Sequence, residues 1–387
     1  MEGFDHIQKT LLKSYNFMFF GLLALFIPFL PVYMTAQGLN ESEVGIIIGA
    51  GGFITIIAQP FFGMISDRFK TVRKVILLLI LLTTIGGFAL YQLSSFTMII
   101  VLTLVVYAFL MPLDPLTESL SFTSSEVLKI SYGSVRTYGA LGFAIMSLIV
   151  GYTMDWFGMS SISYLFAILG TVGFIIVFFL RDVPTTVVPI SKAGLKKLLF
   201  DKEMILFLIL IFISSIPARM NDTFLGIHIG SLNGDTKLVG IAFFISAATE
   251  ILIFALSFLW LKKGRELQLI TIAIFFYAIR FLLSGIVESP YALIAVQVLQ
   301  MVTFPIFYTA AIQYLYQIVP AEWRATGQTI LALLFFGISG IISSALGGYI
   351  YTIFGGHIFY YMLSIISTIA FLYGVALVIR QHRKSLA

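Results

Sequence analysis

The sequence predicts an all-α membrane protein whose twelve transmembrane helices form two pseudo-symmetric six-helix bundles. Three observations predict this class: an apolar composition, twelve long apolar segments, and a repeat at half the chain length. Of the 387 residues, 59% are hydrophobic and 11% are charged, and the mean hydropathy is +1.04. Soluble globular chains carry about 25% charged residues. Soluble enzymes, nucleic-acid binders and secreted modules are therefore excluded.

Each apolar segment is long enough to cross a bilayer, because about 20 helical residues span about 30 Å of hydrocarbon. The segments lie near residues 13–36, 44–65, 74–94, 97–123, 132–155, 160–181, 203–227, 237–261, 267–287, 291–319, 326–353 and 356–379. The first lacks a small-residue cleavage site, so we expect a retained helix rather than a signal peptide. The chain has no cysteine, which excludes disulfides and thiolate metal sites.

The distribution of positive charge predicts the orientation of the chain. Alternate loops hold 19 of the 23 lysines and arginines, and the opposite loops hold Lys237 alone. Both termini are therefore expected in the cytoplasm, with the protein in the cell membrane. The basic residues in these loops account for the net charge of +5, so this charge does not indicate a nucleic-acid partner.

A repeat divides the chain into two halves. The segment 151–158 (GYTMDWFG) recurs 197 positions later at 348–355 (GYIYTIFG). We expect an N-terminal bundle over residues 1–181, a cytoplasmic linker over 182–202, and a C-terminal bundle over 203–387. Two halves of this kind suit bundles that rock about a site at the membrane midplane.

The loop between the second and third segments reads GMISDRFKTVRK and contains Asp67, Arg68 and Arg73. It resembles the signature loop of the major facilitator superfamily and departs from it at Lys70, where glycine is usual. Residues 262–265 resemble a degenerate second copy. The resemblance implies that Asp67, Arg68 and Arg73 form a gate whose contacts differ between two transport states. A simple positive-inside anchor is the competing interpretation.

Seven charged residues fall within or at the edge of apolar segments: Asp114, Glu118, Arg136, Arg219, Asp222, Glu250 and Arg280. A charge at the centre of a membrane helix costs about 2.5–3.5 kcal/mol on insertion scales, so we expect these side chains to face the interior and to pair. Intramembrane ionisable residues are functional by default, and a static structural pair is the alternative for each.

Glu118 and Arg136 predict a substrate site. An acid near the end of the fourth helix and a Gly-x-x-Arg at the start of the fifth resemble the lactose-permease-like branch of the superfamily, which includes phenylpropionate and nucleoside symporters. The resemblance implies that both residues bind solute, and that Phe143, seven positions after the arginine, stacks on it. The sugar permease has tryptophan there, which weakens a galactoside assignment.

Glu250 is the expected proton carrier, because no basic residue lies within one turn of it on its own helix. A carboxylate in apolar surroundings favours its neutral, protonated form. Arg280 on the next helix is expected to pair with Glu250. The same branch of the superfamily has an acid and an arginine on these two helices.

The remaining candidates have more than one interpretation. Arg219 and Asp222 share one helix face at i,i+3. They could form a local pair, or they could belong to a charge network with the tenth and eleventh helices. Asp114 lies one turn before Glu118, and its role stays open. Gln300 and Tyr308 are expected to line the solute cavity, with helix packing as an equal alternative.

The tenth helix lacks the lysine, histidine and glutamate that this branch uses for proton coupling. The corresponding residues are Gln297, Gln300 and Thr303, and all four histidines lie outside the segment centres. The carboxylates left to carry a proton are Glu250, Glu118, Asp222 and Asp114.

These observations predict a secondary transporter rather than an enzyme. We expect a monomer that takes up a sugar, nucleoside or aromatic acid with protons by alternating access, without cofactor or metal. The chain has no P-loop, so ATP is not expected to drive it. The alternative is a proton-driven exporter or lipid flippase of the same fold, although the Gly-Pro step typical of drug exporters is missing from helix five. A receptor is disfavoured because no soluble effector domain is present.

Overall fold

The computed structural model of the chain describes residues 2–93, 95–182, 201–262, 264–320 and 323–386. Its membrane-crossing helices, numbered in chain order, are α1 (Asp5–Ala36), α2 (Glu41–Phe69), α3 (Arg73–Leu90), α4 (Phe96–Leu128), α5 (Tyr132–Phe157), α6 (Ser161–Phe179), α7 (Lys202–Ser231), α8 (Thr236–Ala255), α9 (Glu266–Ile286), α10 (Pro290–Ile318) and a final stretch, Thr326–Arg383. Most of the predicted linker, residues 183–200, lies outside the described residues.

The final stretch crosses the membrane twice. Its 58 residues would form a helix of about 87 Å, nearly three times the thickness of the hydrocarbon core. At Gly355 the backbone leaves the helical region, with φ 73° and ψ 172°, a conformation that glycine adopts readily. We therefore divide the stretch into α11 (326–354) and α12 (356–383). The described residues thus contain the twelve crossings that the sequence predicts, and the all-α membrane fold is confirmed.

Several crossings are interrupted along their length. α1 consists of Glu2–Phe26 and Phe29–Ala36, and α4 consists of Phe96–Leu110 and Leu113–Leu128. α10 consists of Pro290–Val296, a 3₁₀ segment Gln297–Val302, and Phe304–Ile318. The α11–α12 stretch begins with Arg324–Ala332 and continues through a π-helical turn, Leu333–Ile338. The long helix Ser339–Leu386 follows and includes α12. A short helix, Ser257–Trp260, follows α8. Such 3₁₀ and π segments within helices often mark functional sites.

The first six and the last six helices pack as two groups. In the N-terminal group α1 packs against α5 and α6, and α3 packs against α4 and α6. In the C-terminal group α9 packs against α10 and the α11–α12 stretch, and α7 packs against the same stretch. Between the groups, α2 meets the α11–α12 stretch, α5 meets α8, and the second half of α1 meets α7.

Two crossings of glycine-bearing helices join the groups at the end opposite the termini, which we call the far end. The end that carries the termini is the linker end. A Cβ on Gly151 of α5 would lie 2.8 Å from a carbonyl oxygen of α8 and 3.0 Å from the Cα of Gly240. A Cβ on Gly45 of α2 would lie 2.1 Å from a carbonyl oxygen of α11 and 3.1 Å from the Cα of Gly348. Because Gly151 and Gly348 are related by the repeat, the duplication builds both crossings.

Candidate functional site

Glu118 and Arg136 form an ion pair between α4 and α5. Arg136 Nε lies 3.0 Å from Glu118 Oε1. The hydroxyl of Tyr132, one turn before Arg136, donates a hydrogen bond to the other oxygen of the carboxylate. The guanidinium lies over the ring of Phe20 on α1, 4.1 Å from its centroid. Arg136 nevertheless exposes 43% of its side chain, so a small solute could reach it.

Two other residues of the predicted site lie near this pair without a hydrogen bond to it. Asp114 lies in the first turn of the second half of α4, where the helix dipole favours a carboxylate. It is within electrostatic range of both Glu118 and Arg136. Phe143, two turns along α5, is half-buried and packs against the hydrophobic core. Its stacking on a solute stays a prediction.

A second polar centre lies between α8, α9 and α10. Arg280 is only 2% exposed, and its Nη2 donates to Gln297 Oε1 at 2.5 Å. Its Nη1 donates to Gln300 Oε1, and Thr303 Oγ1 donates to the same oxygen at 3.2 Å. A 3₁₀ helix has about three residues per turn, so side chains at i and i+3 lie along one edge. The 3₁₀ segment of α10 thus directs two neutral amides at one buried guanidinium.

Glu250 and Arg280 are joined through Gln300 in this structure rather than by a direct contact. The Nε2 of Gln300 donates to the carboxylate of Glu250, while its Oε1 accepts from Arg280. A glutamine side chain carries both a donor and an acceptor, so it can bridge an acid and a base. The sequence predicted that Glu250 on α8 and Arg280 on α9 lie near each other. It did not predict that a residue of α10 lies between these two side chains.

Arg219 and Asp222 form the local ion pair that their spacing on α7 predicts. The guanidinium also lies over the rings of Phe335 and Phe336, at 5.4 and 5.1 Å. Those two rings belong to the π-helical turn of α11. The local pair predicted from sequence is therefore present, and the guanidinium also contacts aromatic rings of α11. The charge network with the tenth and eleventh helices stays a prediction.

Tyr308 belongs to an aromatic cluster beside Arg219. Its ring stacks on Phe304, with centroids 5.5 Å apart and planes at 17°. It also contacts the ring of Phe336 edge-on, with centroids 5.5 Å apart. Flat apolar rings of this kind offer a stacking surface to a ring-bearing solute.

The polar centres of the two groups lie within reach of each other. Arg136 is within electrostatic range of Glu250, and Asp114 is within range of Tyr308. Arg219 is also within range of Glu250. Charged groups of one bundle therefore influence those of the other, although each polar centre is built within its own bundle.

The signature loop lies at the linker end. Asp67 lines a cavity of about 190 Å³ between α2 and α4, and Arg68 is exposed. The guanidinium of Arg73 donates to the carbonyl oxygen of Leu180 at 2.8 Å, which ties α3 to the end of α6. Lys70 ends α2 with φ 51°. This left-handed conformation costs glycine least, which explains why glycine is usual at that position.

Sequence reasoning missed Asp182, although an acid at the end of a helix was a visible signal. Its carboxylate accepts hydrogen bonds from the backbone N–H of Val72 at 3.1 Å and of Arg73 at 3.0 Å. It also accepts one from the hydroxyl of Thr71. Asp182 therefore caps the start of α3.

A family model described as the MFS_1 like family matches residues 9–362. The chain belongs to the MFS_1 like family. The uncharacterized transporter YwbF of Bacillus subtilis is 28% identical over 359 residues, which cover 91% of this chain and 89% of YwbF. The maltose permease of Geobacillus stearothermophilus is 23% identical, with 89% and 88% covered. The probable 3-phenylpropionic acid transporter of Escherichia coli is 24% identical, with 89% and 92% covered.

A solved structure supports the same fold. The crystal structure of the nucleoside transporter NupG matches with a TM-score of 0.84 at 16% identity, over 95% of this chain and 98% of NupG. As a member of the MFS_1 like family, the chain is a multi-pass membrane protein and a secondary transporter of small solutes. It is not an enzyme, and transporters of this superfamily need no cofactor. Within the described residues, no group of three or more His, Cys, Asp or Glu side chains could hold a metal ion.

Proposed function

We propose that this MFS_1 like transporter takes up a small polar or aromatic solute together with protons. The observation that supports the proposal is that each bundle holds an acid–base centre among its membrane-crossing helices. One is the Glu118–Arg136 ion pair, and the other is the Gln300-bridged pair of Glu250 and Arg280.

The proposed solute site lies between these two centres. Arg136 offers a fork of hydrogen-bond donors, and Glu118 accepts hydroxyl groups. Tyr308 and its aromatic neighbours provide a stacking surface, with Gln300 at the edge and Phe143 on the opposite bundle. A ring that carries hydroxyls or a carboxylate suits such a site. Maltose and nucleosides, which the names of the relatives specify, have rings with hydroxyls, and 3-phenylpropionic acid has a ring joined to a carboxylate by two carbons.

The proposed proton carrier is Glu250. Its carboxylate is held by a neutral amide rather than by a guanidinium, so protonation does not break a direct ion pair. A shift of α9 or α10 that replaced Gln300 with Arg280 as its neighbour would favour the charged form and release the proton. Glu118, Asp222 and Asp114 are the other carboxylates that could take this role, and Arg219 belongs to the same proposed charge network.

The proposed orientation places the linker end in the cytoplasm. Most lysines and arginines lie in the loops of that end, as the positive-inside rule requires. The bundles over residues 1–181 and 203–387 are proposed to rock as units in a monomer, with Asp67, Arg68 and Arg73 changing contacts as the linker end closes. The glycine crossings hold the far end closed in the described state.

The test is uptake into proteoliposomes with an alkaline interior. Purified full-length protein is offered labelled maltose, uridine and 3-phenylpropionate, with protein-free liposomes and the Arg136→Ala variant as controls. We expect at least one solute to accumulate above its external concentration, and a protonophore to abolish the accumulation. Accumulation that survives the protonophore, or that requires a sodium gradient instead, would contradict proton coupling.

A further inference from the structure

The duplicated segment contains a second pair of repeat-related positions besides its glycines. Asp155 in the first copy corresponds to Thr352 in the second, 197 positions later. The first lies in the last turn of α5, and the second lies near the end of α11. Both side chains reach across the interface to the opposite bundle at the far end.

Asp155 contacts the one basic residue of the far-end loops. Lys237 Nζ lies 3.8 Å from Asp155 Oδ2 in the opposite bundle and 2.8 Å from Asp235 Oδ2 in its own bundle. The three side chains expose between 25% and 36% of their surface. Water and salt can therefore reach this contact, while the glycine crossing of α5 and α8 lies directly beside it.

Each charge is unfavourably placed with respect to its own helix. Asp155 lies at the C-terminus of α5, and Lys237 lies in the first turn of α8. A helix dipole favours cations at the C-terminus and anions at the N-terminus, the opposite of both placements. Lys237 is the partner that favours the charge of Asp155, while Lys237 itself is favoured by both Asp155 and Asp235. This indicates a role between the bundles rather than in helix stability.

Thr352 makes the corresponding contact without an ion pair. Its hydroxyl accepts a hydrogen bond from the backbone N–H of Ser42 at 3.0 Å and donates one to Glu41 at 3.2 Å. Both partners lie in the first turn of α2, in the opposite bundle. The repeat thus places one polar contact beside each glycine crossing, an ion pair at α5–α8 and hydrogen bonds of a neutral hydroxyl at α2–α11.

We propose that Asp155 and Lys237 form a charged latch that holds the far end closed, with Thr352 as its neutral counterpart. The latch favours the state that faces the linker end. Because the ionic contact is exposed, its strength falls with ionic strength. Screening or removing it increases the fraction of molecules open at the far end, while the hydrogen bonds of Thr352 respond little to salt.

A single-cysteine reporter tests the latch without any knowledge of the solute. The natural chain has no cysteine, so Val32→Cys supplies the only thiol. Val32 lies in the second half of α1, where a Cβ on Gly226 of α7 would come within 2.6 Å of its Cγ2. Its side chain is partly buried and packs against the opposite bundle in this structure, so opening of the far end should increase its exposure. The measurement is the rate of maleimide labelling of the full chain in nanodiscs.

Asp155→Asn and Lys237→Met are each expected to raise the labelling rate about two- to fivefold, as loss of an exposed ion pair predicts. The double variant should label no faster than either single one. Asp235→Asn is the matched control, because it removes the ion pair within one bundle while the asparagine oxygen can still accept from the backbone N–H of Leu238, and it should not raise the rate. Molar salt should accelerate labelling of the reporter chain and not of its Asp155→Asn variant.

Two results would overturn the latch. An unchanged rate in Asp155→Asn would show that the contact does not hold the bundles together. Equal acceleration in Asp235→Asn and Asp155→Asn would place the effect in the local structure of α8. Thr352→Val keeps the proposal testable if Asp155→Asn fails to fold, since it should open the far end without changing the salt response.

Discussion

At the scale of single residues, Arg136 holds Glu118 through its Nε at 3.0 Å and lies over Phe20. Arg136→Lys keeps the charge but has neither the Nε nor the planar group. Loss of a charge-assisted hydrogen bond costs about 1.5–3 kcal/mol, so solute affinity should fall about tenfold or more. Calorimetric titration with the solute found by uptake measures this.

Tyr132→Phe is the matched control for Arg136→Lys, because it removes the other hydrogen bond to Glu118 and leaves the ion pair in place. We expect a smaller loss of affinity in this variant. Wild-type affinity in Arg136→Lys would mean that the pair is a structural bridge between α4 and α5 and not a solute site.

A second residue-scale prediction concerns Gln297, which is fully buried and accepts from Arg280 Nη2. Gln297→Leu leaves that nitrogen without a partner, which should lower the free energy of unfolding by about 1.5–3 kcal/mol. Gln297→Glu supplies a counter-charge instead and should unfold at or above the wild-type temperature. Thermal unfolding in detergent compares the three proteins. Equal melting temperatures in wild type and Gln297→Leu would show that the hydrogen bond from Arg280 to Gln297 does not stabilise the fold.

At the scale of elements, the glycine crossings set how closely the bundles approach. A Cβ on Gly45 would overlap a backbone oxygen of α11, whereas a Cβ on Gly63 of the same helix meets nothing within 4 Å. Alanine favours a helix over glycine by about 1 kcal/mol, so Gly63→Ala should be neutral or stabilising. Gly45→Ala should instead open the far end and speed labelling of Val32→Cys. The same labelling rate in both variants would show that the crossing is not close enough to matter.

The positions of the helices could be predicted from sequence because apolar length alone determines a membrane span. The break between the last two spans was expected near residue 355, where glycine allows the left-handed backbone. The 3₁₀ segment at 297–302 and the π-helical turn at 333–338 were not expected. Both depend on contacts with other helices, which local composition does not encode.

The candidate site, too, could be predicted only where its contacts are local in sequence. Glu118 and Arg136, 18 residues apart, could be paired from sequence, because a short turn joins α4 to α5. The bridge between Glu250 and Arg280 could not, because it depends on a third helix whose 3₁₀ winding points Gln300 inward. A pair within one helix or across a short turn follows from spacing, whereas the contacts of Glu250, Arg280 and Gln300 depend on how three helices pack.

At the scale of the whole molecule, the twelve crossings and the charge asymmetry predict the topology. Reporter fusions at Ser95, Asp155 and Glu288 should be active outside the cell, and fusions at Lys70 and Lys196 should be active inside. Alternate loops must face opposite sides when each span crosses once. Enzyme-reporter activity in intact cells measures this, and an inside signal at Glu288 would contradict the crossing count in the second half.

The central claim is that Glu250 carries the coupled proton. Glu250→Gln has the shape of the protonated acid, and its amide oxygen can still accept the hydrogen bond from Gln300. We expect this variant to bind the solute and to exchange it across the membrane at a rate near that of wild type. It should fail to accumulate the solute against a gradient, because it can neither load nor release a proton.

The most direct measurement compares wild type and Glu250→Gln in the same proteoliposomes, first for solute exchange and then for uptake driven by an alkaline interior. Normal exchange with no proton-driven accumulation in Glu250→Gln is the result that this account predicts. Wild-type accumulation in Glu250→Gln would contradict it and would move the proton to Glu118, Asp222 or Asp114.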